Sequence, residues 1–229
     1  MAHHHHDHNG GRGGHGHDHP HNGVDPADFF DERARDWDTP EKVASTHAIA
    51  EAIIAAVPLD ASWDALEIGC GTGLLSLELG PRLRHVLLTD VSAGMLEVAR
   101  ERAAADPARY AVERRDLSAA PLARPVDLIF ASMVLHHVAD LDVLLTSLRA
   151  SLRPGGWIAL ADLDADPQNT YHADDFAGHH GIDRDDLQAQ LRGLGFVDVA
   201  ARTATTITKA KDGEDFDHDV FLISGRLPG

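Results

Sequence analysis

Cysteine occurs once in the 229 residues, at Cys70, so no intramolecular disulfide can form and packing alone must hold the core. Lysine is almost as scarce. Lys42, Lys209 and Lys211 are the only three, and even with 17 arginines they leave a formal net charge of -17 against 37 acidic residues. Binding to nucleic acid or to an anionic membrane needs a clustered basic face, so neither is an expected partner. Long apolar runs are missing too. The longest, near residues 126–138, is broken by Asp127, Ser132, His136 and His137 and falls well short of the ~20 residues that span a bilayer. No basic segment followed by an apolar one opens the chain, as a secretory signal would, and the expected location is the cytoplasm. What is present, 43% hydrophobic residues in a chain of this length, suffices for one domain with a sizeable core.

Residues 1–23 hold nine of the 17 histidines among Gly, Asp and Asn, without apolar periodicity. Such a segment buries too little to offset its ordering entropy. It reads as a disordered tail, natural or left from cloning, able to bind divalent metal weakly and without catalytic role. The rest, 24–229, reads as one domain. Within 24–58, Phe29, Phe30, Ala34 and Trp37 recur at roughly helical spacing, and Thr39 and Pro40 open a helix over 40–57 as N-cap and first residue. This segment reads either as a lid or as a permanent plug of core.

Short β-rich runs at 63–68, 85–90, 109–114, 126–131 and 157–162 alternate with helical stretches at 73–80, 92–105, 140–152 and 183–194. That alternation predicts a parallel sheet with right-handed crossovers. Two further strands, 196–208 and 218–226, meet at Lys211-Asp212-Gly213, a hairpin signal. The expected fold is therefore α/β: a Rossmann-like parallel sheet with an antiparallel C-terminal hairpin at one edge and helices on both faces.

Leu66-Glu67-Ile68-Gly69-Cys70-Gly71-Thr72-Gly73 joins the first strand to the next helix. Alternate glycines let the main chain turn sharply and let a ligand touch it, and the helix start offers free N–H groups. A carboxylate at the mouth would repel a pyrophosphate, and the third glycine of a dinucleotide loop would fall at position 74, which is Leu74. A positive, phosphate-free ligand suits the loop better.

Four later segments complete the pattern: Leu87-Leu88-Thr89-Asp90 with Val91 to Leu96, Glu113 to Leu117, Val126 to Val138, and Leu152 to Trp157. In this order they resemble the class I S-adenosylmethionine-dependent methyltransferases, in particular the small-molecule branch that includes ubiquinone and menaquinone methylases, over about residues 28–226. The resemblance implies S-adenosylmethionine as cofactor and transfer of its methyl group to a small-molecule acceptor. It assigns the cofactor to the loop residues Glu67, Ile68, Gly69, Cys70, Gly71, Thr72 and Gly73. Asp90 and Val91 would follow at the ribose, Met95 beside ribose and adenine, Asp116 and Leu117 at the adenine, Ser132 on the fourth strand and Trp37 in the lid. Cys70 reads as a small packing residue, not a nucleophile.

On the substrate side, residues 163–182 read as a loop over the mouth of the sheet. His172, His179 and His180 are candidate catalytic bases there. The surrounding Asp162, Asp164, Asp166, Asp174 and Asp175 are alternatively metal ligands or an acidic solvated loop with Asp183 capping the next helix; no metal is expected for catalysis. His136 and His137 are either a base or a hydrogen-bonded wall. Ala131-Ser132-Met133-Val134 stands where nucleobase-amino methylases carry Asp/Asn-Pro-Pro-aromatic, which argues against a flipped base as target. The rival readings are a non-catalytic protein that senses S-adenosylmethionine or metal, and an NAD-dependent oxidoreductase.

Overall fold

A computed structural model describes residues 26–229 except 169, 174, 175 and 212. The histidine-rich tail expected over 1–23 and the carboxylates of Asp174 and Asp175 lie outside the described residues. Among these residues no helix is long and apolar enough to cross a membrane.

The elements are α1 (Pro26–Arg33), α2 (Pro40–Ala56), β1 (Asp64–Ile68), α3 (Leu74–Leu79), β2 (His85–Asp90), α4 (Ala93–Ala103), β3 (Tyr110–Arg114), β4 (Val126–Ser132), α5 (Leu141–Ala150), β5 (Leu152–Leu163), α6 (Arg184–Gly193), β6 (Val197–Lys211) and β7 (Glu214–Arg226). One seven-stranded sheet runs in the order β3-β2-β1-β4-β5-β7-β6. The first five strands are parallel, and β7 lies antiparallel to both β5 and β6. This is the Rossmann-like sheet with an antiparallel C-terminal hairpin that the sequence predicts.

Helix starts follow local chemistry. Thr39 Oγ1, Ser92 Oγ, Asp140 Oδ1 and Asp183 Oδ1 each accept a backbone N–H from the first turn of α2, α4, α5 and α6, which satisfies donors the helix leaves open. Strand alternation divides the core. Leu128 and Phe130 of β4, with Val220 and Leu222 of β7, face the layer of α2, α3 and α4. Ile129, Ala131, Phe221 and Ile223 face α5 and α6. Phe130 is fully buried, and its truncation to alanine would cost about 3–5 kcal/mol.

Two boundaries differ from the sequence expectation for physical reasons. β5 starts at Leu152 rather than near 157, because Arg153-Pro154-Gly155-Gly156 is accommodated by a register shift against β4 between Val126 and Leu128. β7 starts at Glu214 because β6 holds the polar run by hydroxyl contacts, Thr206 Oγ1 to Asp219 at 2.9 Å and Thr208 Oγ1 to Asp217 at 2.7 Å. The hairpin therefore extends past the end of β5, and α2 packs against it.

Candidate active site

β1, β2 and β4 end on one side of the sheet, and a cavity of about 990 Å³ opens there. The crevice beyond the carboxyl ends of parallel strands is the general ligand position in such sheets.

The three glycines of the loop serve different purposes. All have positive φ, at 57°, 52° and 85° for Gly69, Gly71 and Gly73, a region that L side chains enter at a cost. A Cβ on Gly69 would lie 2.3 Å from Val134 Cγ2, and one on Gly73 2.9 Å from Leu88 Cδ2; these two permit close packing. A Cβ on Gly71 would meet only Met95 Sδ, at 4.0 Å, so it would point into open cavity. Gly71 alone reserves space for a ligand.

Two carboxylates flank that space. Asp90 Oδ2 accepts the Gly71 N–H and Oδ1 the Ser92 N–H, both at 2.9 Å, and burial pushes its pKa up. The anchored oxygens retain lone pairs for a diol. Glu67 is buried and accepts from the Ser76 hydroxyl; burial pushes it up to about 8. Burial also drives the Cys70 thiol well up, which keeps it from acting as a thiolate.

Of the residues assigned to the cofactor, Glu67, Ile68, Gly69, Cys70, Gly71 and Thr72 line the cavity, as do Asp90, Val91 and Met95. So do Asp116, Leu117, Ser132 and Trp37. Gly73 does not; it starts α3 beneath the loop. Over this end lies the segment from α1 to Trp37. Asp31 Oδ1 accepts from Ser92 Oγ at 2.5 Å and from the Gly94 N–H at 2.9 Å, while Asp38 accepts from Thr72 Oγ1 and Arg102 at 2.8 Å and 2.5 Å.

The candidate bases fall elsewhere. None of His172, His179 and His180 lines the cavity. His172 is buried and stacks on Phe176, with centroids 3.9 Å apart, and burial drives it down to about 2. His179 is tied to the loop after β4: its N–H donates to His136 O at 2.7 Å, and Nε2 meets Val138 O at 2.9 Å. His180 packs edge-on against His172 and Phe176. Among the loop acids, Asp162 is fully buried on β5, where it accepts from Leu135 and Leu163 N–H and holds His136 Nδ1 at 2.5 Å. Asp164 pairs with Arg184, and Asp166 closes a turn on Gln168 and Thr170. Among the described residues no group of three or more His, Cys, Asp or Glu could hold a metal ion.

The histidines on the lining are His136 and His137. His137 is pushed down to about 2, by burial first and by the neighbouring imidazoles of His136 and His172 next. Opposite them stand residues that the sequence reading did not select: Ser45, Thr46 and Lys42 from α2, Tyr171, and Thr208 and Lys209 from β6. The scarcity of lysine was the available signal.

Comparison with known proteins agrees with this geometry. The family "Methyltransferase domain" matches residues 66–158. Over 134 residues the chain is 40% identical to the biotin biosynthesis bifunctional protein BioCD of Bordetella avium, a match over 56% of this chain and 28% of that protein. It is 40% identical over 116 residues to a trans-aconitate 2-methyltransferase of Azoarcus sp., covering 48% and 43%. The chain thus spans less than half the length of these relatives. In fold it is similar to phosphoethanolamine N-methyltransferase 2 of Haemonchus contortus in complex with S-adenosyl-L-methionine, with TM-score 0.69, 17% identity, and coverage of 90% of this chain and 60% of that one. Residues 66–158 thus resemble a methyltransferase domain, and the fold around them is that of solved methyltransferases, one of them in complex with S-adenosyl-L-methionine.

Proposed function

We propose that the protein transfers the methyl group of S-adenosylmethionine to a small-molecule acceptor. The observation that carries this reading is Gly71, whose Cβ position opens into the cavity beside the buried carboxyl of Glu67 and the half-buried carboxyl of Asp90. The donor set fits the cofactor: Asp90 offers paired acceptors for the two ribose hydroxyls, Met95 and Leu117 an apolar slot for a flat base, and Glu67 a carboxylate that a positive charge would favour. Bound there, the cofactor supplies a methyl group on a cationic sulfur.

The protein's own task is then to position and to exclude water. An acceptor atom must be held about 3 Å from the methyl carbon in line with the bond that breaks. The cavity continues past Met133 and His136 to Tyr171 and Lys209, which leaves room for such a molecule. Met133 sits at φ 57°, a strained angle for a non-glycine residue, held by its N–H bond to Ala161 O at 2.9 Å. His136 supports this wall, its Nδ1 within 2.5 Å of Asp162 Oδ1. Residues 26–58 form the lid side, and the described residues between 163 and 182 back the wall from behind. A chain of net charge -17 is unsuited to nucleic-acid acceptors.

Calorimetric titration with S-adenosylmethionine, S-adenosylhomocysteine and NAD tests the reading. The first two should bind and NAD should not; NAD binding alone would replace it with an oxidoreductase. Formation of S-adenosylhomocysteine with an added acceptor separates an enzyme from a non-catalytic binder. Deleting residues 1–23 should abolish retention on a nickel column and leave the cofactor affinity unchanged.

A further inference from the structure

Arg102 of α4 does not line the cavity, yet it holds two pieces of the cavity wall. Its Nη1 donates to the Thr72 carbonyl at 3.1 Å and its Nη2 to Asp38 Oδ2 at 2.5 Å, while the Thr72 hydroxyl donates to Asp38 Oδ1 at 2.8 Å. The three residues close a triangle of hydrogen bonds. Its other two corners, Thr72 in the glycine loop and Asp38 beside Trp37, both line the cavity.

Thr72 needs such a hold. It stands between Gly71 and Gly73, whose φ angles of 52° and 85° lie where side chains are disfavoured, so neither neighbour stiffens the main chain through it. On one side the turn is pinned by the Gly71 N–H on Asp90 Oδ2 at 2.9 Å. On the other it is pinned by the triangle, at both the carbonyl and the hydroxyl of Thr72. Bonds to a guanidinium or a carboxylate are stronger than bonds between neutral groups. Shielding adds to this: the side chains of Arg102 and Asp38 are 31% and 15% exposed, against 69% and 60% for Arg35 and Glu101, a pair that joins the same segment to the same helix. An ion pair as exposed as the second contributes little.

From this we infer that Arg102 is a positioning residue for the cofactor: without touching it, Arg102 sets through Thr72 and Asp38 the shape of the glycine-loop end that receives S-adenosylmethionine. The inference rests on the methyltransferase reading and adds to it a residue remote from the cavity. The requirement is for arginine, because the fixed fork of a guanidinium spans a carbonyl and a carboxylate at once, whereas an ammonium is a single point charge on a flexible stem.

The test is calorimetric titration of S-adenosylhomocysteine into the parent, Arg102→Met, Arg102→Lys, Asp38→Asn, the double variant of Arg102→Met with Asp38→Asn, and Glu101→Gln as the exposed-pair control. The thermal midpoint of each is read without ligand, and the titrations are run well below it. Arg102→Met should weaken binding roughly tenfold, Arg102→Lys should recover part of that loss, and Glu101→Gln should bind as the parent does. An arginine with a merely structural role would lower the midpoint and leave the affinity of the folded protein alone. Because the triangle acts as a unit, the double variant should bind within about twofold of the weaker single variant. Should Arg102→Met fail to fold, Asp38→Asn carries the test, with binding weakened severalfold. Affinities within about twofold of the parent in the single variants, or losses that simply add in the double variant, overturn the inference. In either case the parent still binds S-adenosylhomocysteine and the methyltransferase reading stands; a parent that binds neither S-adenosylhomocysteine nor S-adenosylmethionine overturns that reading, and the role of Arg102 with it.

Discussion

The glycine-loop end and the α2–β6 end of one cavity solve opposite electrostatic problems. At the loop, Asp90 and Glu67 are anchored by backbone amides and a hydroxyl and are pushed up by burial. At the far end, imidazoles are pushed down by burial and ammonium groups are held on ring faces. Burial disfavours the charged form in both places. The loop end can regain its charge when a cation enters, whereas the imidazole wall has no charge to regain and stays neutral scaffolding.

The sharpest way to separate packing from binding at the loop is a glycine pair. Gly69→Val should destabilise the fold by about 4 kcal/mol or more, because left-handed strain adds to overlap with Val134. Gly71→Val should cost only the strain of about 1–2 kcal/mol in stability, yet weaken S-adenosylhomocysteine by ~100-fold, about 3 kcal/mol. Thermal melts and calorimetry on the two proteins would show the split. Equal losses of stability in both would mean that the space above Gly71 is structural.

Asp90→Ala should be next, with cofactor affinity down by about 2 kcal/mol, roughly 30-fold, as two hydroxyls lose their acceptor. Because Asp90 also pins the Gly71 and Ser92 amides, Asp90→Asn should keep more of the loop and lose less. Binding within twofold of the parent in Asp90→Ala would remove Asp90 from the site.

That much of the glycine-loop end of the cavity was legible in the sequence follows from locality. Glu67, Gly69 and Gly71 are neighbours on one turn, and Asp90 ends the adjacent strand, so strand alternation alone brings them together. The opposite end of the cavity is lined by residues distant in sequence: Lys42, Tyr171 and Lys209 come to one cavity because β7 inserts between β5 and β6 and the hairpin overreaches the sheet. No periodicity encodes that register. His172, His179 and His180 stand out in sequence as imidazoles in a polar loop, and the structure places them off the cavity lining, with the His179 N–H on His136 O and His172 stacked on Phe176. The aromatic run from Phe29 to Trp37 was visible as a cluster, while its docking on α4 through Asp31 depended on a partner 61 residues away.

The two ends should also titrate in opposite directions. His137 and His172 have folded pKa values of about 2, below the usual value near 6.5. The unfolded chain therefore takes up protons first, and stability should fall as pH drops below 6.5, by up to about 1.4 kcal/mol per pH unit for each imidazole. His172→Phe should flatten that acid limb. Glu67, raised to about 8, contributes stability that is complete below its unfolded value of 4.5 and is lost as pH rises toward 8. Glu67→Gln should remove this alkaline loss. Denaturant midpoints across pH would report both slopes, and an acid limb unchanged by His172→Phe would mean that another group carries it.

The smallest effect concerns the segment that roofs the loop end. Phe29 is buried, while Phe30 and Trp37 face the cavity and meet edge to face at 5.3 Å; large apolar rings are poorly left in water. Asp31 and Asp38 tie the segment to Ser92, Gly94, Thr72 and Arg102, all polar links that solvent can replace at a cost of about 1 kcal/mol each. A segment tied to the body by one small apolar cluster with Met95 and Val98 and by several replaceable hydrogen bonds opens more readily than the sheet beneath it. We expect amides across residues 28–38 to gain protection from hydrogen exchange when S-adenosylhomocysteine fills the cavity, as a lid closing on a ligand does. Exchange in that window that is already slow and indifferent to the ligand would make the same rings a permanent plug, and access to the loop end would then have to come from the side of α2 and β6.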